Sequence, residues 1–247
     1  MKKSNLRRNI LIGTAVFIIG VVIVVMMVYN GVVLLNNPSR EDYPVRGVDV
    51  SSYQGNIDWR ALAAQGIQFA FIKATEGSGY QDPCYAFNYE QATKTNLRVG
   101  AYHFFSFDSS GQTQFDNFAS VVSESDSMLP PVVDVEFYGE KEKNPPDAKS
   151  VFCELNRLLN LLEEKYGCKP ILYATEKSYK KYIREYFNGY NIWIRSVVTE
   201  PRVLSDKQWT FWQYTNRATL QGYQGKEKYI DMNVFNGDQS EFDQYGK

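Results

Sequence analysis

Apolar and polar positions divide the chain into two unequal parts. Residues 10–28, ILIGTAVFIIGVVIVVMMV, run without a charged side chain, and the apolar character continues in patches to Leu35. A run of this length can cross a hydrocarbon core of roughly 30 Å as a helix. It is apolar on every face, unlike the helix of a soluble core. Lys2, Lys3, Arg7 and Arg8 precede it with no acid among them, which predicts a cytoplasmic N terminus and an external remainder at the cell membrane. A cleaved signal peptide is the competing reading. Its apolar region would be shorter, and VYNGVVLLNN offers no small-x-small cleavage site. The pattern therefore predicts a basic tail at 1–9, a signal anchor in the lipid bilayer at 10–35, a polar linker at 36–44 and one large domain at 45–247.

Beyond residue 45, short apolar runs alternate with helix-like stretches. Strands are expected at 45–51, 69–75, 98–107, 130–137, 170–175, 190–195, 209–215 and 228–235. Helices are expected at 57–66, near 85–95 and 111–122, and at 148–165, where Leu155, Leu158, Leu159 and Leu162 share a face. Gly167 and Pro170 end the last of these. Alternation at this spacing predicts a parallel sheet, and eight strands predict an α/β fold closed as an irregular (β/α)8-type barrel. An open doubly wound sheet is the alternative; no glycine-rich phosphate loop follows any strand, and no cofactor is implied.

Charge changes the picture little. The net charge is −1, and setting aside the four basic residues of the tail leaves 23 Lys and Arg against 28 Asp and Glu. An outer domain near −5 argues against nucleic acid as a partner. The 18 Tyr, 15 Phe and 4 Trp suit either a tyrosine-rich core or a groove that stacks sugar rings, and composition does not decide between them. Cys84, Cys153 and Cys168 lack metal-binding spacing, so no metal site is expected, and at most one disulfide can form. The single histidine, His103, lies in an aromatic strand and reads as a hydrogen-bonded core residue rather than a base.

The candidate chemistry lies in acids placed within apolar runs: Asp49, Asp134 with Glu136, and Asp231. A charge in a buried strand is costly unless it is paired or used. These acids are read as sitting late in their strands, at the barrel end that carries active sites. Asp134 and Glu136 are two residues apart in VVDVEF, so both side chains point to one face. Neighbouring carboxylates resist ionising together. The protonated one can then act as an acid on a glycosidic oxygen while its ionised neighbour stabilises positive charge on the sugar.

Eight ordered blocks carry a resemblance. They are GVDVSSYQGNIDW (47–59), FAFIKATEG (69–77), GAYHFF (100–105), LPPVVDVE (129–136), KPILYAT (169–175), IWI (192–194), WTFWQYT (209–215) and IDMNVFNG (230–237). In these blocks the domain resembles the family 25 glycoside hydrolases, the Chalaropsis-type lysozymes or muramidases. The resemblance implies a β/α barrel whose last strands depart from regular alternation. It also implies retaining hydrolysis of the β-1,4 bond between N-acetylmuramic acid and N-acetylglucosamine in peptidoglycan glycan strands. Position by position, Glu136 corresponds to the general acid, Asp134 to its partner, and Asp49 and Asp231 to the rest of the acidic cluster. Lys73, Tyr173, Tyr102 and Trp193 correspond to substrate contacts, and Gln213 to a supporting residue of the groove. The DxE spacing is similar to that of enzymes in which the substrate's own N-acetyl oxygen attacks, with Asp134 orienting it.

One departure concerns the strand IWIR. The family carries a small residue after IWI, whereas Arg195 stands here, on the same strand face as Trp193. A cation at this position can lower the pKa of Asp134, bind a substrate carboxylate or narrow the cleft. Two other classes fit the same pattern: a non-catalytic glycan-binding module, and a glycosidase of chitin-like polymers.

Overall fold

The computed structural model describes residues 2–125, 128–201 and 209–246, with side chains from Arg8 onward. The side chains of Lys2, Lys3 and Arg7, on which the expected orientation rests, lie outside the described residues. The first element is helix α1 (Lys2–Tyr29). Its Arg8–Tyr29 span is long and apolar enough to cross a membrane, and none of it is buried against the rest of the chain.

The rest of the chain forms a closed barrel. Its strands are β1 (Arg46–Val50), β2 (Phe69–Glu76), β3 (Tyr80–Gln81), β4 (Arg98–Phe104), β5 (Val132–Val135), β6 (Ile171–Thr175), β7 (Asn191–Arg195), β8 (Phe211–Ala218) and β9 (Ile230–Phe235). Around the wall the order is β1-β9-β8-β7-β6-β5-β4-β2, and β1 closes the ring by pairing with β2. The two-residue β3 is a hairpin on the end of β2. Seven wall strands run parallel, and β9 runs antiparallel to both β1 and β8.

This reversal corrects the reading that every acid sits late in its strand. Asp231 is the second residue of β9. It reaches the same end of the barrel as Asp49 only because β9 enters from that end, and the two residues face each other in the β1–β9 register.

The helices on the wall obey their local sequence. In α2 (Trp59–Ala63), Asp58 caps the first turn by accepting from the amides of Arg60 and Ala61. Helices α3 (Tyr85–Thr93) and α4 (Gly111–Val121) follow. The long α5 (Ala148–Tyr166) is capped by Asp147 and ends at Gly167, whose φ of 69° is the left-handed position that glycine adopts without strain. Its Leu155, Leu158, Leu159 and Leu162 are buried against the outside of the sheet. A short turn α6 (Glu176–Ser178), a π-turn at Tyr179–Ile183 and a final helix α7 (Gln239–Gln244) complete the fold. Cys84, Cys153 and Cys168 are all free thiols.

The barrel interior is a second core, built from Phe69, Phe71, Val132, Ile171, Trp193, Phe211 and Phe235. Gly47 and Gly100 make room for it: a Cβ on Gly47 would lie 2.3 Å from the Phe69 ring, and one on Gly100 2.7 Å from Phe71. Helix α7 seals the lower end with Phe242, which packs on Phe69 and Phe235 at ring distances of 5.5 and 5.2 Å. Arg98 holds this plug by donating to the carbonyls of Phe242 and Tyr245. With the lower end filled by aromatic rings, the polar side chains of the strands collect at the upper end.

Residues 36–44 lie along the barrel. Asn36 donates to the carbonyl of Ser196 at 3.0 Å, and Arg46 donates to that of Pro38. Tyr43 packs on Trp209 and Trp212 at ring distances of 5.5 and 6.0 Å.

Candidate active site

The upper end opens into a cleft of about 740 Å³ whose lining includes all ten candidate residues from the sequence. Each arrives by strand parity. Asp49, Lys73, Tyr102, Asp134, Tyr173, Trp193, Arg195, Gln213 and Asp231 belong to the inward-pointing positions of β1, β2, β4, β5, β6, β7, β8 and β9, and Glu136 lies just past the end of β5.

Gln213 ties the acids of the closing strands together. Its Nε2 donates to both oxygens of Asp49, at 3.1 and 3.2 Å, and to Oδ2 of Asp231 at 3.2 Å. Asn233 donates to Oδ1 of Asp49 at 2.7 Å, and its own Oδ1 accepts from the indole of Trp193 at 2.8 Å. Burial pushes Asp231 well above the usual carboxylate range, and the charge of Asp49 adds to it. Burial also raises Asp49, while the amide bonds from Asn233 and Gln213 favour its ionised form. The two carboxyl groups therefore resist ionising together.

The Asp134/Glu136 pair stands across the cleft. Asp134 is 8% exposed, and its buried Oδ1 has no hydrogen-bond partner. Burial is the main force raising its pKa well above the ordinary value, with the charge of Glu136 second and Lys73 opposing. Glu136 is raised by burial and pulled back by Arg195 and by the hydroxyl of Tyr173. That hydroxyl lies 3.3 Å from Glu136 Oε1 and 3.0 Å from Oε1 of Gln213, linking the two acidic groups.

Arg195 therefore acts on Glu136, Asp49 and Asp231 rather than on Asp134, whose neighbouring cation is Lys73. Of the effects the sequence leaves open for Arg195, the electrostatics favour an action on these three acids over one on Asp134. Arg195 lies in register between Thr175 on β6 and Gln213 on β8, whereas Lys73 projects from β2. Lys73 is itself held by Glu76 at 2.6 Å and lies over the rings of Phe104 and Tyr80 at 5.0 and 5.4 Å.

The aromatics divide into two kinds. Tyr102 is half-buried on the cleft wall, but Trp193 is 2% exposed, stacked on Phe71 at 4.8 Å and edge-on to Tyr173 at 4.6 Å. Its contribution is to the floor, through Asn233. His103 is on the opposite face of β4, between Thr75 and Gln114, and burial lowers its pKa to about 4, so it stays neutral. Among the described residues no cluster of His, Cys, Asp or Glu is arranged to hold a metal ion.

Sequence reasoning passed over Asn233, Tyr53, Arg217 and Tyr229. The signal for Asn233 was present: it is two residues past Asp231 in IDMNVF, hence on the same strand face. No comparable signal marks the others, because they come from loops and strand ends that only the fold brings to the cleft.

The sequence profile of the Glycosyl hydrolases family 25 matches residues 48–223. The chain belongs to this family. It is accordingly a glycoside hydrolase. It is 52% identical to a family 25 glycosyl hydrolase from Bacillus anthracis, whose structure superposes with a TM-score of 0.82 over 87% of this chain and 98% of that one. A bacterial lysozyme from Streptomyces coelicolor is 30% identical, with a TM-score of 0.69 over 79% of this chain and 94% of its own. Lysozyme M1 of Streptomyces globisporus is 33% identical over 209 residues, 78% of this chain and 68% of its own.

The buried acids make stability depend on pH. Asp231 has a folded pKa raised above its ordinary value of 3.8, so its contribution is present in full below about pH 4 and lost as pH rises through the raised value. Asp231→Asn removes that loss. In chemical denaturation of the full chain in detergent, the variant should be the more stable protein at pH 8, by about 0.5–2 kcal/mol, with the advantage vanishing at pH 4. A difference independent of pH would show that Asp231 carries no buried charge.

Proposed function

We propose that this glycoside hydrolase is a membrane-anchored muramidase that cuts the β-1,4 bond between N-acetylmuramic acid and N-acetylglucosamine in peptidoglycan. Its similarity to the two Streptomyces lysozymes supports the substrate class. The observation that carries the mechanism is the buried, unpartnered Oδ1 of Asp134 beside a glutamic acid that Tyr173 reaches. A carboxylate oxygen buried without a donor costs free energy that a ligand N–H can recover.

The two carboxyl groups share a proton in this reading. Burial and the charge of Glu136 keep the proton on Asp134 in the free protein. When the acetamido N–H of the substrate donates to Asp134, the ionised form of Asp134 is favoured and Glu136 takes the proton. Glu136 then protonates the glycosidic oxygen as the bond breaks. The acetamido carbonyl oxygen, oriented by Asp134, attacks the anomeric carbon from the other face. Water opens the resulting ring, with Glu136 now accepting its proton, and configuration is retained. Asp49, Asp231 and Gln213 hold the far wall of the cleft, and Tyr102, Lys73 and Arg195 contact the glycan.

The anchor supports a location at the cell membrane. In this arrangement residues 10–28 contact the bilayer, Tyr29 and Gly31 being held against the barrel instead; the basic tail of residues 1–9 is cytoplasmic, the segment 36–44 leads into the hydrolase, and residues 45–247 face the wall. The reach of such an enzyme is confined to glycan near the membrane, which suits local opening of the wall.

Four measurements test these points. Glu136→Gln should lower kcat on purified peptidoglycan by about 10²–10⁴ while glycan binding persists. The wild type should release fragments with muramic acid at the reducing end and leave chitin oligomers intact; N-acetylglucosamine ends would mean that the other β-1,4 bond of the strand is cut, and cleavage of chitin oligomers would identify a chitin-type glycosidase. A substrate lacking the 2-acetamido group should be turned over at a rate near that of Glu136→Gln, and undiminished turnover would exclude substrate assistance. The full chain should sediment with membranes and resist extraction by high salt. Recovery of an outer domain cut within 36–44 as the main cellular form would contradict anchoring.

A further inference from the structure

The last turn of the anchor reaches the catalytic cleft. Tyr29, the final residue of α1, lines one end of it together with Asn216, Arg217, Glu227 and Tyr229. The contact follows from an elementary need: carbonyls in the last turn of a helix have no partner within the helix. The barrel supplies it. Arg217 Nη1 donates to the carbonyl of Tyr29 at 2.6 Å, and the hydroxyl of Tyr229 donates to the same oxygen at 3.2 Å. A cation at a helix C terminus is also favoured by the helix dipole. Gly31, at φ +68°, then turns the chain so closely against the barrel that a Cβ would lie 2.2 Å from the carbonyl oxygen of Arg217.

The clasp orders aromatic surface at the mouth. The guanidinium of Arg217 lies over the Tyr29 ring at 4.8 Å and over the Tyr229 ring at 5.3 Å. Tyr29 remains 66% exposed. A flat ring fixed on one side by a cation, in a cleft that Asn216 and Glu227 also line, has the chemistry that binds a sugar: sugar C–H groups stack on the aromatic face while hydroxyls meet polar groups of the cleft.

We infer that Tyr29, Arg217 and Tyr229 form a distal glycan subsite built jointly by the anchor and the barrel, with Tyr29 as a specificity-determining contact for long strands. The inference rests on the reading of the cleft as a glycan site. It makes the anchor part of the binding surface as well as a tether.

The test uses the full chain in lipid nanodiscs, with long uncrosslinked peptidoglycan strands and a single disaccharide as probes. Tyr29→Ala should raise KM for long strands about three- to tenfold, leave kcat unchanged and leave disaccharide affinity unchanged. Tyr29→Phe and Tyr29→Trp should both retain the wild-type KM. The same substitutions placed on Glu136→Gln, read as strand binding, should weaken affinity by the same factor. Unchanged KM and unchanged affinity in Tyr29→Ala would overturn the subsite, as would an equal loss for the disaccharide and the long strands. If the wild type releases no muramic-acid ends yet Tyr29→Ala still weakens strand binding, the muramidase reading fails and the subsite stands.

Discussion

Four carboxyl groups at one end of a closed barrel are a cost that the rest of the structure must offset. An ionised acid in a dry interior loses several kcal/mol of hydration unless donors replace the water. Here the donors are neutral. Gln213 bridges Asp49 and Asp231, Asn233 serves Asp49, and Tyr173 stands between Gln213 and Glu136. The amides fix the positions of the acids without supplying a full counter-charge, and the carboxyl groups therefore hold protons above the usual range. Asp134 receives no such donor, and its Oδ1 stays buried and unpartnered.

The topology serves this arrangement. If β9 ran parallel to its neighbours, Asp231 would point into the barrel near the plugged end, among phenylalanine rings. Its reversal delivers both Asp231 and the supporting Asn233 to the open end, in register with Asp49. Below them, Trp193 connects the aromatic interior to the polar floor through a single indole hydrogen bond. The interior rings and the glycines that admit them set the height at which the polar layer begins.

Much of this was legible in the sequence, for physical reasons that can be named. Strand parity in VVDVEF was enough to place Asp134 and Glu136 on one face, and acids within apolar runs marked β1, β5 and β9 as carriers of the site. Helix α5 could be read from its leucine spacing and its glycine stop. Direction was not legible, because a strand's side-chain pattern is the same whichever way it runs, and so the route of Asp231 to the cleft was misread. Which of its possible effects Arg195 exerts was left open for a related reason: a face is encoded within one strand, but the partner across a closed ring depends on register between strands. Tyr29 was the least accessible of all. Its residue type suits a membrane interface equally well, and only the turn at Gly31 brings it to the barrel.

The strapping of residues 36–44 along the barrel also changes the dimensionality of the enzyme's search. A free chain of that length would let the domain wander over roughly 15–18 Å, sampling a cap of space above the bilayer. Held by Asn36, Pro38 and Tyr43, it has little slack to give. In the anchored arrangement proposed above, a cleft carried in this way would move as its anchor moves, by lateral drift in the plane of the membrane and by tilt of one helix. Encounter with a polymer would then become a scan of a layer at fixed height, and the strands it meets would be selected by their altitude above the lipid before any sugar is recognised.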